Sequence, residues 1–154
     1  VAGAAAAFGM RVIGYSRGEH PAFIGERVSL DGLFAESDVL SLHCPATPET
    51  RGIINAATIA QMKDGAILLN TARGTLCVAQ DVADALERGK LRAYAADVAE
   101  REPISRNDPL LAAKNCILTP HIAWAPRETR QRLLRLAAEN LRAFLNGAPI
   151  NRVN

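Results

Sequence analysis

Little in this sequence points to a metal, a membrane or a nucleic acid. Only three cysteines occur, Cys44, Cys77 and Cys116, and no two of them are spaced as C-x-x-C. That spacing is what a zinc site or a dithiol redox motif would need, and an odd count closes no disulfide framework. The three read as free thiols in a reducing compartment, which implies a cytoplasmic protein. No apolar run reaches the ~18 residues of a membrane span. The apolar opening, residues 1–10, lacks the basic region and initiator methionine of a signal peptide. Charge of one sign is scarce too. The formal net charge is +2, and no block of Lys and Arg reaches five residues. Nothing therefore suggests a nucleic-acid partner. The arginines after residue 126 are spaced as the solvated face of a helix.

What is present is a chain of ordinary domain size. Its 154 residues are 49% hydrophobic and 22% charged, enough for one buried core in a globular protein. Residues 1–8 are Ala-rich and helical, and Gly9 ends that helix. The opening reads as a helix cut part-way along. Strands are expected at 11–15, 38–42, 65–69, 92–96 and 116–119. The 38–42 and 65–69 segments are nearly all apolar, as strands buried on both faces are. Ser29 and Asn55 suit the N-caps of helices at 30–36 and 56–62. A further helix runs over 79–88 and stops at Gly89. Pro126 suits a first helical position for a long helix to about Asn146. Its apolar stripe is Leu134, Ala137, Leu141, Phe144 and Leu145, with Gly147 and Pro149 beyond. Strand and helix alternate, which predicts an α/β fold: a doubly wound, Rossmann-like parallel sheet with helices on both faces.

Ligands bind such a sheet beyond the carboxyl ends of its strands. Those ends carry Ser16 and Arg17, then His43, Cys44 and Pro45, then Asn70 to Gly74, then Asp97, then Pro120 and His121. Each alone has a structural explanation: an Asp at a strand end caps a turn, and an Arg-Gly often only makes one. Five polar ends on one rim predict a binding site. The second strand of an NAD-binding sheet usually ends in Asp or Glu, which accepts the ribose hydroxyls. Here Ser16 and Arg17 stand there. A carboxylate would repel a 2′-phosphate and Ser plus Arg would accept one, so NADP is favoured over NAD. Glu19 is near enough to take the ribose role if the loop bends. His43 reads as a structural loop residue and His20 as a surface one. Trp124 fits either a substrate pocket or the cover of a hinge.

Four motifs resemble those of the D-isomer-specific 2-hydroxyacid dehydrogenases. N-T-A-R-G at 70–74 is similar to the family's arginine motif. A-D-V-A-E-R-E-P at 96–103 is similar to its glutamate motif, and T-P-H-I-A-W at 119–124 to its histidine motif. H-C-P-A-T-P-E-T-R-G-I-I at 43–54 resembles the loop that closes over the cofactor. Order and separation match as well. The segment H-I-A-W-A-P-R-E-T-R is most similar to the glycerate dehydrogenase (hydroxypyruvate reductase) branch.

The resemblance implies an NAD(P)-dependent reductase of small 2-keto acids that yields D-2-hydroxy acids. Arg73 would bind the substrate carboxylate with its planar fork. His121 would be the general acid, and the base in reverse. Glu102, rather than its neighbour Glu100, would pair with the imidazole and keep it protonated near neutral pH. Asp97 would hold the nicotinamide ribose or ring amide, with Thr71 and Ala72 at the same end. Cys44, Pro45, Thr50, Arg73, His121 and Ala123 complete the implied cofactor contacts, and no metal is implied. A homodimer is the family's usual assembly.

Relative to that pattern, the first strand and its G-x-G-x-x-G turn would precede Val1, and a separate substrate domain is missing. Residues 1–154 then read as a partial dinucleotide-binding domain with a C-terminal helix, inactive alone and weak in binding dinucleotide. Ala99 replaces a common aromatic residue, and residues 76–79 lack an acidic helix cap. Three other readings share the pattern. A corepressor family has the same fold and the same Arg/Glu/His set. Formate dehydrogenases resemble it but carry Gln where Glu102 stands. A degenerate, inactive piece is the third.

Overall fold

The computed structural model describes residues 1–18 and 21–153. Glu19 and His20, considered above for the ribose and for the surface, lie outside the described residues. The chain forms two compact units, Val1–Pro120 and His121–Asn154.

In the first unit, α1 (Ala2–Ala7) precedes two short parallel strands, β1 (Ile13–Gly14) and β2 (Glu26–Arg27). A four-stranded, wholly parallel sheet follows, in the order β3 (Val39–Leu42), β4 (Ala66–Asn70), β5 (Leu91–Ala96), β6 (Cys116–Leu118). Between the strands lie α2 (Leu30–Glu36), α3 (Ala56–Gln61) and α4 (Ala79–Glu87), with 3₁₀ turns at Gly74–Leu76 and Pro109–Leu111. The expected alternation of strand and helix is therefore present.

Register decides where the core sits. Leu40, Leu68, Tyr94 and Cys116 pair across the sheet and share one face, because successive side chains alternate sides. That face packs with Phe34 of α2, Ile59 of α3, Val82 and Leu86 of α4, and Leu110. Ser41, Leu69, Ala95 and Ile117 form the opposite row. There Ile117 is 67% exposed. The expectation that 38–42 is buried on both faces fails, since Val39 is 43% exposed. β3 is an edge strand of its sheet, and an apolar composition does not reveal an edge.

Two helix starts behave as their residues predict. The Ser29 hydroxyl accepts the Gly32 N–H at 3.0 Å. Asn55 accepts from Ala57 and Thr58, while the Thr58 hydroxyl accepts the Asn55 N–H at 3.0 Å, a reciprocal capping box. α4 starts at Val78 with no side-chain cap, as the missing acidic residue implies. Its first-turn Asp81 instead accepts the Ala56 N–H at 2.8 Å. The second unit contains α5 (Arg127–Leu145), none of whose residues is buried. Pro126 occupies the N-cap of α5 and not its first helical position.

Candidate functional site

The site is built at the carboxyl ends of the parallel strands. β4 ends on Asn70, whose side chain is fully buried. Its Oδ1 accepts the Ala72 N–H at 3.1 Å, and its Nδ2 donates to the Arg73 carbonyl at 3.0 Å. The turn that follows exposes Thr71 and Arg73. Arg73 is extended, and its Nη1 donates to the Ala72 carbonyl at 2.7 Å.

β5 ends on Ala96, and Asp97 continues it by donating its N–H to the Asn70 carbonyl at 3.0 Å. The Asp97 carboxylate is nearly buried and accepts the Thr119 hydroxyl at 2.5 Å. A charge-assisted bond of this kind holds a carboxylate in one orientation. Beyond it, Glu102 Oε1 accepts the Ala99 N–H at 3.1 Å. The two loops are pressed together. A Cβ on Gly74 would collide with the Ala99 carbonyl carbon, so only glycine allows the Arg73 turn to seat against the segment that carries Glu102. Arg51 and Glu100 pair at 2.7 Å and tie the 43–54 loop to the same segment. Glu100 is thereby engaged elsewhere.

β3 leads into the 43–54 loop. His43 Nε2 lies 3.0 Å from the Ser41 hydroxyl, in keeping with a structural part. Thr50, expected to touch cofactor, is nearly buried. Its hydroxyl donates to the Pro45 carbonyl at 2.7 Å and accepts the Thr47 N–H at 2.8 Å. It braces the loop from inside. Thr50 lines a cavity of about 830 Å³ together with Cys44 and Pro45. Tyr15, Ser16 and Arg17 from the end of β1 line it as well.

At that end the Ser16 hydroxyl donates to the Gly18 carbonyl at 2.6 Å. Arg27, at the end of β2, donates to the Ser16 carbonyl at 3.1 Å and to the Gly18 carbonyl at 2.9 Å. Arg17 is exposed and reaches Glu49 only at 4.0 Å. The Thr47 hydroxyl, first among its causes, holds the Glu49 carboxyl below the usual range. Arg17, Arg27 and the turn between Ser16 and Gly18 thus line the same cavity and give it two guanidinium groups. Sequence reasoning missed Arg27. A two-residue strand of charged side chains has no periodicity to reveal it. It also passed over Asn70 as a site residue, though the residue stands within the arginine motif.

In the second unit His121 has φ 55°, a left-handed conformation uncommon for a non-glycine residue, though histidine adopts it more readily than most. Ala123 and Trp124 are exposed. No group of three His, Cys, Asp or Glu among the described residues could hold a metal ion. No helix among them is long and apolar enough to cross a membrane.

Residues 1–123 match the family model described as "D-isomer specific 2-hydroxyacid dehydrogenase, NAD binding domain". The chain is 53% identical over 153 residues to a hydroxypyruvate reductase of Blautia hydrogenotrophica, covering 97% of this chain and 48% of that protein. The structure of the TT0316 protein from Thermus thermophilus superimposes with a TM-score of 0.90 at 45% identity, over 99% of this chain and 49% of that one. An acyclic imino acid reductase solved with NADPH and D-Arg matches with a TM-score of 0.90 at 29% identity, over 99% of this chain and 49% of that one. The chain spans about half the length of the relatives it matches. It belongs to the D-isomer specific 2-hydroxyacid dehydrogenase family, as that family's NAD binding domain.

Proposed function

We propose that the protein carrying this chain reduces a small 2-keto acid of the glyoxylate or hydroxypyruvate class to a D-2-hydroxy acid. The observation that carries the reading is the contact of Gly74 with Ala99. It sets a turn presenting an exposed arginine against the segment bearing Glu102, at the ligand-binding rim of the sheet. Relatives of the same domain named hydroxypyruvate and glyoxylate reductases support it.

A bound dihydronicotinamide supplies the hydride. The chain supplies charge and protons. Arg73 grips the substrate carboxylate with two parallel N–H donors. His121 gives a proton to the carbonyl oxygen as that oxygen gains charge, and takes it back from the hydroxyl in the reverse direction. Glu102 is the carboxylate that the family's motif would assign to orienting that imidazole. Asp97, fixed by Thr119, holds the nicotinamide end of the cofactor. At the other end Ser16 and Arg17 receive the adenosine ribose, with Arg27 bracing their turn. With two guanidinium groups there, NADP is preferred to NAD. Three free thiols suit a reducing, cytoplasmic setting.

The test is a steady-state assay of the intact protein with glyoxylate, hydroxypyruvate and pyruvate, each with NADH and NADPH. His121→Ala is expected to lower kcat by about 10²- to 10⁴-fold, the usual contribution of a positioned general acid. Full activity in that variant would overturn the assignment, and a clear preference for NADH would overturn the NADP reading.

A further inference from the structure

Asn70 does more than end a strand, and we propose that it is the positioning residue for Arg73. The proposal rests on the carboxylate-binding role given to Arg73 above. It is carried by a buried cluster that this role does not require.

The Asn70 side chain is fully buried, and each of its polar atoms is engaged. Oδ1 accepts from Ala72 N and Nδ2 donates to Arg73 O. These two groups lie on either side of the Ala72–Arg73 peptide, so the amide clamps the backbone of both residues. The same Nδ2 lies 3.5 Å from Cys77 Sγ and 3.5 Å from the Tyr94 hydroxyl. A carboxamide nitrogen carries two hydrogens. One goes to Arg73, and the other faces the thiol and the phenol. Cys77 and Tyr94 are themselves buried, so they fix the rotation of the amide from behind. The guanidinium then leans on the residue that has been fixed, through Arg73 Nη1 to Ala72 O. An aliphatic side chain at position 70 would leave the part-buried Ala72 N–H and Arg73 carbonyl without these partners, which favours movement of the turn.

Two readouts test this, one of them independent of turnover. Arg73 is exposed, and its carbonyl belongs to the peptide bond that trypsin would cut. In Asn70→Ala, and more weakly in Tyr94→Phe, tryptic cleavage after Arg73 should accelerate by about tenfold relative to cleavage after Arg51, the scale set by losing one or two net hydrogen bonds. An unchanged ratio overturns the proposal whether or not the protein reduces keto acids.

The second readout is kinetic, on the intact protein. Asn70→Ala should raise the KM for glyoxylate by about tenfold and the KM for NADPH by clearly less, since the carboxylate grip rests on Arg73 while the cofactor has contacts outside this turn. In an Arg73→Ala background it should cost nothing further, as in a closed double-mutant cycle. An equal rise in both KM values, or the same loss in the Arg73→Ala background, would mean a structural role only. If the wild-type protein reduces no 2-keto acid, the proposed function fails and the proteolysis still decides the clamp. Should Asn70→Ala not fold, Asn70→Asp keeps the acceptor for Ala72, loses the donor to Arg73 and carries both measurements.

Discussion

A single hydrogen atom at Gly74 keeps two loops in register. The atoms that a methyl group would meet are backbone, the Ala99 carbonyl and the Glu100 nitrogen, and backbone cannot rotate away as a long side chain can. Gly74→Ala should therefore cost about 3 kcal/mol, the upper part of the overpacking range. A urea titration would read this as a lower midpoint with unchanged slope, and an unmoved midpoint would remove the argument. Cys77 makes a different demand. Burial, the largest cause, pushes its thiol up to about 11. The folded chain thus holds the proton more tightly than the unfolded one. This contribution is complete below the usual thiol range and is lost as pH rises through about 11. A rise of this size is worth on the order of 3 kcal/mol. Comparing urea midpoints at pH 8 and pH 10.5 should show a steeper alkaline loss in the wild type than in Cys77→Ala. Equal losses would assign the alkaline weakness to other groups.

Among the elements, those with a chemical signal at their ends are legible in the sequence. Asn55 satisfies two N–H groups of α3 and its partner Thr58 returns a bond, so Asn55→Ala should cost about 1 kcal/mol in chemical denaturation. No measurable change would mean that tertiary packing alone starts that helix. The same logic finds α2 through Ser29 and the weak start of α4 through the residues lacking there. It fails for β2, because Glu26 and Arg27 are held by parallel pairing with Ile13 and Gly14, and pairing leaves no trace in two charged residues. It overextends β1 to 11–15 for the related reason that only Ile13 and Gly14 have a partner. Composition puts Asn70 after its strand, yet its register partner is Ala96, and that last residue of β4 carries the clamp. The motifs put Asp97 directly after β5, Arg73 in the turn after β4 and Glu102 further along the loop after β5, and the structure has them at those places. The brace at Thr50 and the one at Arg27 depend on backbone carbonyls, which a sequence does not display.

At the scale of the whole molecule, the core is unevenly distributed along the chain. Every residue of the buried cluster lies between Phe34 and Leu110, whereas α5 buries none of its 19 residues. The apolar stripe expected on that helix is open, with Leu134 71% and Phe144 68% exposed. Cooperative unfolding follows from a shared core, so the cooperative unit here is the first unit. A chain ending at Pro120 should retain it. Its near-ultraviolet circular dichroism should keep the contribution of the buried Tyr94 and lose only that of Trp124, which the shorter chain lacks. Its urea midpoint should fall by less than that of Leu68→Ala, a substitution at a fully buried position that typically costs about 2–5 kcal/mol. Loss of the cooperative transition in the shorter chain would show that the second unit completes the core. A midpoint held in the shorter chain but lost in Leu68→Ala would confine the determinants of folding to the sheet face that α2, α3 and α4 cover.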